Sequence, residues 1–187
     1  MKTTTQSGNN VVGDTIRREE QLQWLGGFFC GEGCITMWID KRDGRKRICS
    51  QASVVNTDEI LIEKTEQILR SNGIAPVIYW TKSGRNKPLG VIKITGNGKL
   101  NKFLTMILPY LFGTKSEVAK ILLKYIDYRN SIPHSYGNMH TIKIKRVSII
   151  DDPIIMNFIQ KVRLLNSSPQ RLHALHPKKG DDIVSSI

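Results

Sequence analysis

The segment from Trp24 to Ile35, Trp-Leu-Gly-Gly-Phe-Phe-Cys-Gly-Glu-Gly-Cys-Ile, restricts the possible folds of this chain more than any other segment. It continues a helical pattern that begins at about Ile16, although each of Gly26, Gly27 and Gly31 costs a helix ~1 kcal/mol relative to alanine. A loss of roughly 3 kcal/mol matters in a domain whose total stability is roughly 5–15 kcal/mol, so close packing should offset it. Gly27 and Gly31 lie four residues apart on one helix face, where the backbone of a second helix can approach closely.

The acidic residue at the end of this helical segment is placed against the helix dipole. Glu32 lies at the C-terminal end, where the partial negative charge of the helix disfavours a carboxylate. An acid kept there, beside a face suited to close packing, indicates a cation site. The alternative is a glycine-rich turn between a helix and a strand, with Glu32 simply exposed to solvent. The residues alone are compatible with both.

Two hairpins are predicted from the strand patterns. Residues 34–40 and 48–55 are rich in β-formers and flank a basic turn with Asp43-Gly44 at its tip. The second hairpin is predicted over 76–82 and 89–95. Because each hairpin follows a helical pattern, we predict an α+β fold with a four-stranded antiparallel sheet, helices on one face and extra C-terminal helices.

The helices predicted after the first one cover residues 60–71, 100–111, 114–129 and 153–166. The pattern occurs once, without an internal repeat. We predict a flexible N-terminal arm over 1–14, a single domain over 15–172 and a basic polar tail over 173–187.

The net charge of the chain limits the classes of partner that it is expected to bind. Lys and Arg number 28 and Asp and Glu number 16, which gives a net charge of +12. A globular protein this basic usually binds a polyanion, and nucleic acid is the commonest one. An anionic membrane surface or a ribosomal role would fit the same charge.

The three cysteines, Cys30, Cys34 and Cys49, are an odd number without the spacing of a disulfide framework. They predict structural thiols in a reducing intracellular compartment, either the cytoplasm or an organelle such as a chloroplast or mitochondrion. No apolar run approaches the ~20 residues of a membrane span, and residues 1–10 lack the apolar core of a signal peptide. We therefore expect no membrane partner.

The segment Leu25-Gly-Gly-Phe-Phe-Cys-Gly-Glu-Gly33 resembles the LAGLIDADG motif of homing endonucleases, whose name is the consensus of this helix. Leu25, Gly27, Gly31, Glu32 and Gly33 follow the motif, with Glu in place of the usual final Asp, a variation that the family permits. Gly26 replaces Ala, and Cys30 replaces the first Asp of the motif. The resemblance extends over residues 21–171 and is to the single-motif, homodimeric, intron-encoded type, which has an αββαββα core.

The resemblance implies an active site for DNA hydrolysis. Glu32, with the carbonyl of Gly31, would hold Mg²⁺ (or Mn²⁺), an ion that prefers oxygen ligands. Asn56, at the end of the second strand, would contact the attacking water, and Lys115 would stabilise charge on the phosphate. Without the resemblance, Asn56 is also a good helix cap and Lys115 is also a plausible solvated helix start. The family's second basic residue has no clear match, because Ile60 or Leu61 stands at its place. Arg85 and Lys82 are the candidate substitutes.

The resemblance also implies a homodimer, since one motif supplies one acid. The two motif helices would meet through Leu25, Gly27, Phe28 and Gly31 across a twofold axis.

The sheet would bind double-stranded DNA. Alternate strand residues share a face, and the more polar sets would line the major groove. Those residues are Thr36, Trp38, Asp40, Arg47, Cys49, Gln51, Ser53, Lys93 and Thr95.

Basic residues in the hairpin loops would contact phosphates, although such loops can also serve solubility alone. They are Lys41, Arg42, Arg45, Lys46, Arg47, Lys82, Arg85 and Lys87. Arg171, after the last helix, is either a further backbone contact or a tail charge.

The expected function is site-specific cleavage of both strands of a long, pseudo-palindromic DNA target. Two alternatives remain. One is an RNA-binding intron maturase, with host intron RNA as a partner. The other is a DNA-binding regulator of the same fold without cleavage, which has little reason to keep both Glu32 and Lys115.

Overall fold

The computed structural model describes residues 8–42, 44–82, 87–132, 150 and 152–167, with the side chains of 8–14 and 45 left out. Its elements are α1 (Gly8–Gly31), β1 (Gly33–Arg42), β2 (Arg45–Asn56), α2 (Glu59–Ser71), β3 (Val77–Thr81), β4 (Leu89–Thr95), α3 (Asn97–Ile107), a 3₁₀ turn (Leu108–Tyr110), α4 (Gly113–Ser131) and α5 (Pro153–Asn166). The predicted α+β fold is confirmed.

The four strands form one antiparallel sheet in the order β1-β2-β4-β3. One face of the sheet lies against the helices, because Ile35, Met37, Ala52, Val54 and their neighbours on β4 are buried. The core continues into α1, α3 and α4, where the rings of Phe29 and Phe103 lie 4.8 Å apart. The opposite face of the sheet carries no helix in the described part of the chain.

The outer edge of β1 is covered by α5. The Asn166 side-chain amide donates a hydrogen bond of 2.9 Å to the Ile35 carbonyl. β1 is an edge strand of the sheet, so this carbonyl has no described strand beside it to bind. Asp152 caps the start of α5 by accepting from the Ile154 N–H at 2.8 Å.

Close packing within the chain requires two glycines, Gly26 in α1 and Gly33 at the start of β1. A Cβ built at Gly26 would collide with Tyr110 in the 3₁₀ turn. A Cβ at Gly33 would collide with Phe29, one turn earlier in the same helix. These two contacts bring the 3₁₀ turn and the first residue of β1 against α1.

The two largest differences from the predicted helix boundaries are at the start of the first helix and the end of α3. The first helix begins at Gly8, not near Ile16, because Asp14 and Thr15 favour a cap but do not force one, and extending an existing helix costs little. The residues 8–14 of the predicted arm are therefore helical in their backbone. The predicted helix 100–111 ends as a 3₁₀ turn, since Pro109 has no N–H to donate. In the described part of the chain, no helix is long and apolar enough to cross a membrane.

Candidate functional site

Glu32 lies directly after the last residue of α1. Its backbone N–H donates to the Phe28 carbonyl at 2.9 Å, which continues the helical hydrogen bonding by one residue. Its side chain is exposed, and no side chain within the described ranges forms an ion pair with it. The Glu32 carboxylate is therefore open to a ligand from outside the chain, and Gly31 beside it is exposed as well.

Lys115, in the first turn of α4, comes to the same place. Its ammonium group donates a hydrogen bond to the carbonyl oxygen of Gly33, the residue after Glu32. The side chain is half-buried, so its position is fixed by packing as well as by this bond. The structure thus brings together two parts of the chain that lie more than 80 positions apart.

Asn56 ends β2 on the same side of the sheet. Gly33 of β1 pairs with Val54, so the end of β2 lies beside the start of β1 and next to Glu32. The Asn56 side-chain oxygen accepts from the Asp58 N–H at 2.9 Å, and Asp58 in turn caps α2. Asn56 is therefore not the helix cap itself. It orders the turn before that cap, and its amide nitrogen donates to no other residue in the described part of the chain.

One face of the motif helix is open. Gly27 and Gly31 are exposed, and a Cβ built at either position would meet no atom within 4 Å. Phe28 stacks on Trp24 with ring centroids 5.2 Å apart, and Phe112 at the start of α4 is 69% exposed nearby, with its N–H 3.5 Å from the Cys30 sulfur. No contact among the described residues accounts for the cost of Gly27 and Gly31.

The outward face of the sheet carries the polar residues that the alternation predicts. Across β1 and β2 the facing pairs are Thr36–Gln51, Trp38–Cys49 and Asp40–Arg47, and across β2 and β4 they are Gln51–Thr95 and Ser53–Lys93. Residues that face each other in an antiparallel ladder point to the same side. All of these predicted residues therefore share one face, opposite the core.

Residues 19–108 match the model of a family described as LAGLIDADG-like domain. Over residues 19–108 the chain therefore contains a LAGLIDADG-like domain. Its fold is similar to the crystal structure of the homing endonuclease I-CvuI in complex with the I-CreI target in the presence of Mg, with 20% identity and a TM-score of 0.59 over 83% of this chain and 87% of that chain.

Two further solved structures are similar to it. The homing endonuclease I-TnaI shows 13% identity and a TM-score of 0.56 over 82% of this chain and 93% of its own. The LAGLIDADG homing endonuclease I-GzeII, in complex with its DNA target, shows 14% identity and a TM-score of 0.51, over 89% of this chain but only 53% of I-GzeII. Likeness at these identities shows the fold. No match is found among the curated proteins.

The structure corrects one residue of the predicted interface between two LAGLIDADG helices. Leu25 has no exposed surface, because it packs into the core of its own chain with Phe29. Its side chain therefore points away from the open face with Gly27 and Gly31. Phe28 is half-buried and borders that face.

On the sheet face, Ser53 needs a similar correction. Its side chain is only 7% exposed, since it is small and its cross-strand neighbours Cys34 and Lys93 are larger. It therefore lies below the surface that would contact DNA.

Two residues of β3 that the sequence pattern does not mark, Val77 and Tyr79, also lie on this face. Val77 faces Lys93 and Tyr79 faces Val91, and the Lys93 ammonium lies 5.1 Å from the centre of the Tyr79 ring. Tyr79 is 37% exposed. Alternation was the available signal, but both sets of β3 residues are largely apolar, so polarity did not separate them.

The basic residues predicted to contact phosphates divide into four groups. Lys41, Lys82 and Lys87 are exposed, and the two last border a cleft of about 390 Å³ beside Trp80. Arg42 is also exposed and forms an ion pair of 3.0 Å with Asp40. Lys46 and Arg47 are exposed and lie on opposite sides of β2 by the strand alternation. The side chains of Arg45, Arg85 and Arg171 lie outside the described residues.

The position expected to hold a second basic residue corresponds to Ile60 or Leu61 at the start of α2, where Ile60 is 74% exposed and Leu61 is half-buried. Lys82 borders the same cleft as Thr57 and Glu59, next to Asn56 in sequence. Lys82 thus stays a candidate for this role, while Arg85 lies outside the described residues.

Cys30, Cys34 and Cys49 are all free thiols. Burial, followed by the nearby Asp40 carboxylate, raises the pKa of the Cys49 thiol. Cys49 therefore presents a neutral thiol on the sheet face at neutral pH. Of the described residues, no three His, Cys, Asp or Glu side chains lie close enough together to hold a metal ion by themselves.

Proposed function

We propose that this chain is a divalent-metal-dependent DNA endonuclease that cuts both strands of a long, pseudo-palindromic site as a homodimer. The observation that carries the proposal is the exposed Glu32 carboxylate at the C-terminal end of the LAGLIDADG helix, with Lys115 anchored one residue away at Gly33. The I-CvuI structures, with DNA targets in the presence of Mg or Ca, support the choice of substrate and ion.

The donor set fits Mg²⁺ or Mn²⁺. Glu32 and the Gly31 carbonyl are hard oxygen ligands, and Mg²⁺ usually takes one or two carboxylates together with waters and phosphate oxygens. The ion would supply Lewis-acid stabilisation and an activated water for phosphodiester hydrolysis.

The residues of this chain would position and stabilise the reacting phosphate. Lys115 would exchange its hydrogen bond with the Gly33 carbonyl for one with a phosphate oxygen and stabilise the developing negative charge. Asn56 has its side-chain oxygen committed to the Asp58 N–H, so its amide nitrogen would be the group that orients the attacking water.

The open face of α1 supports the homodimer. Two copies of this helix can approach most closely where the side chains are smallest. Gly27 and Gly31 provide that surface, and a Cβ at either position would meet no atom of the described residues within 4 Å. The match to I-GzeII covers most of this chain but about half of I-GzeII, as expected if two such units act together on one DNA.

A twofold axis through this helix pair would place one Glu32 on each strand of the DNA. It would also extend the two sheets into one long binding surface, with Gln51 and Arg47 reading base edges in each half-site.

The test is cleavage by the purified protein of DNA from the host locus without the intron, in Mg²⁺ and in EDTA. Wild-type protein should cut in Mg²⁺ only. Glu32→Gln should bind as tightly as wild type but fail to cut, because the substitution removes the charge and keeps the shape. Glu63→Gln, an exposed acid on α2, is the matched control and should cut normally.

Normal cutting by Glu32→Gln would show that the catalytic assignment is wrong. Tight binding without cutting by the wild type would identify the chain as a DNA-binding regulator of the same fold.

A further inference from the structure

A second polar cleft lies at the end of the sheet opposite Glu32. Its volume is about 320 Å³, and the described residues that line it are Lys46, Arg47, Ile48, Asn97, Tyr125, Arg129 and Ile150. Three of these seven side chains are cationic and none is acidic. Tyr125 and Arg129 come from α4, and Asn97 is the first residue of α3, so neither the motif helix nor the hairpin tips contain them.

The cleft exists because two strands differ in length. β4 pairs with β2 only from Gln51 to Asn56, so the edge of β2 from Arg45 to Ser50 has no strand beside it on that side. α3 starts just after β4 ends, and Tyr125 and Arg129 of α4 line the cleft beside the free edge. Lys46 lies on the helix side of β2 and Arg47 on the outward side, yet both line the cleft. The cleft therefore includes residues from both sides of the free edge, one of them on the outward face of the sheet.

Arg129 is the residue that points to a ligand. Its Nη1 atom is buried, and no atom in the described part of the chain accepts a hydrogen bond from it. A buried donor without a partner costs about 1–3 kcal/mol, and more when it is charged. No described carboxylate lies within ion-pair distance of Lys46, Arg47 or Arg129 either. An external anion would satisfy all three.

The remaining polar groups of the cleft can also donate. α3 is preceded by Gly96, which has no side chain to cap the helix, and its first residue, Asn97, lines the cleft. The first N–H groups of α3 therefore have no side-chain acceptor. Burial raises the pKa of the Tyr125 phenol, so its hydroxyl keeps its proton at neutral pH. A guanidinium, an ammonium and a helix N-terminus together match a phosphate.

We propose that this cleft binds a phosphodiester group of the DNA away from the cut, with Arg129, Lys46 and the start of α3 at Asn97 as its ligands. The proposal rests on the proposed DNA-binding function and extends it. Ile48 is six residues from Val54 along β2, about 20 Å from the Glu32 end, which equals about six base pairs of duplex. The cleft would therefore hold the backbone in the outer part of each half-site.

The experiment measures how binding depends on salt, with a duplex of arbitrary sequence as the probe, because backbone contacts do not require the specific target. Arg129→Gln should lower the slope of log Kd against log salt by ~0.9. Lys124→Gln, an exposed lysine of the same helix outside the cleft, should leave the slope unchanged.

A second variant keeps the test valid if Arg129→Gln does not fold. Asn97→Asp puts an acid in the first turn of α3, where the helix dipole favours it, so folding should be retained. The new charge should nevertheless repel the phosphate and weaken binding at low salt several-fold. Gln67→Glu makes the same charge change on the exposed surface of α2 and should have a much smaller effect.

Inorganic phosphate is the probe that distinguishes a DNA-binding cleft from a binding site for a small anion. If it raises the melting temperature of wild type but not of Arg129→Gln, while the DNA slope is equal in both, the cleft is a small-anion site and the DNA assignment is wrong. Unchanged DNA binding in both Arg129→Gln and Asn97→Asp also overturns the assignment. These results are independent of cleavage, so a protein that binds without cutting would contradict the proposed function and leave the cleft proposal standing.

Discussion

The two sides of the LAGLIDADG helix use glycine for different reasons. On the inner side, Gly26 allows Tyr110 to pack against the helix backbone, and Leu25 and Phe29 fill the core. On the outer side, Gly27 and Gly31 face open space, and no contact in the part of the chain that the structure describes offsets their cost. The inner glycine is explained by the fold. The outer pair has a physical reason only if a second backbone approaches, which makes it a feature of assembly rather than of folding.

The largest expected effect is on the outer side. Gly27→Leu should leave each chain folded but hold two helices apart, and the loss of packing exceeds the ~1 kcal/mol that helix propensity returns. Sedimentation should show a dimeric wild type and a monomeric variant at the same concentration. A monomeric wild type, or a dimer that survives the substitution, would remove the distinction between the two sides.

A smaller effect is expected on the inner side. Gly26→Ala should lower the free energy of unfolding by about 1–3 kcal/mol, because the added methyl group collides with Tyr110 in a packed region. Urea unfolding would measure it. Gly27→Ala is the matched control one residue away, and in monomeric protein it should stabilise the chain by up to ~1 kcal/mol. Equal responses to the two substitutions would mean that the sides do not differ.

The smallest expected effect sharpens the comparison at the DNA surface. Gln51→Ala should cost about 1–3 kcal/mol of discrimination at one base position, and symmetry about the outer side of α1 should repeat the effect in the other half-site. Selection of bound sequences from randomised duplexes would show the two positions. A uniform loss over all sequences would instead assign Gln51 to the backbone, and an effect in one half-site would exclude the twofold arrangement.

Boundaries marked by strong local signals were predictable from the sequence. β4 begins after Pro88 and ends before Gly96, and α5 begins with Pro153 after the capping Asp152, so both elements match the prediction to the residue. The start of α1 did not match the prediction, because the residues around Asp14 permit either a helix cap or a continuing helix. The local sequence determines where a helix or strand begins or ends only where one backbone conformation is much lower in free energy than the alternative.

The candidate site shows the same division. Glu32, Asn56 and Lys115 could be found because the motif and the ends of elements mark them, and the structure places them at one end of the sheet. The direction of the Leu25 side chain could not be predicted, because leucine fits both a protein core and a contact with a partner helix. The distal cleft was hidden for another reason. Asn97 and Arg129 lie 32 positions apart and far from Lys46, so only tertiary packing brings them together.

The contact between Asn166 and Ile35 has a consequence for the behaviour of the protein during folding and storage. β1 is ten residues long and lies at an edge of the sheet, where unpaired backbone groups are a template for addition of another chain. α5 covers that edge, whereas the other edge strand, β3, is only five residues long and offers few backbone groups. Aggregation through strand addition should therefore begin when α5 detaches, before the sheet itself unfolds.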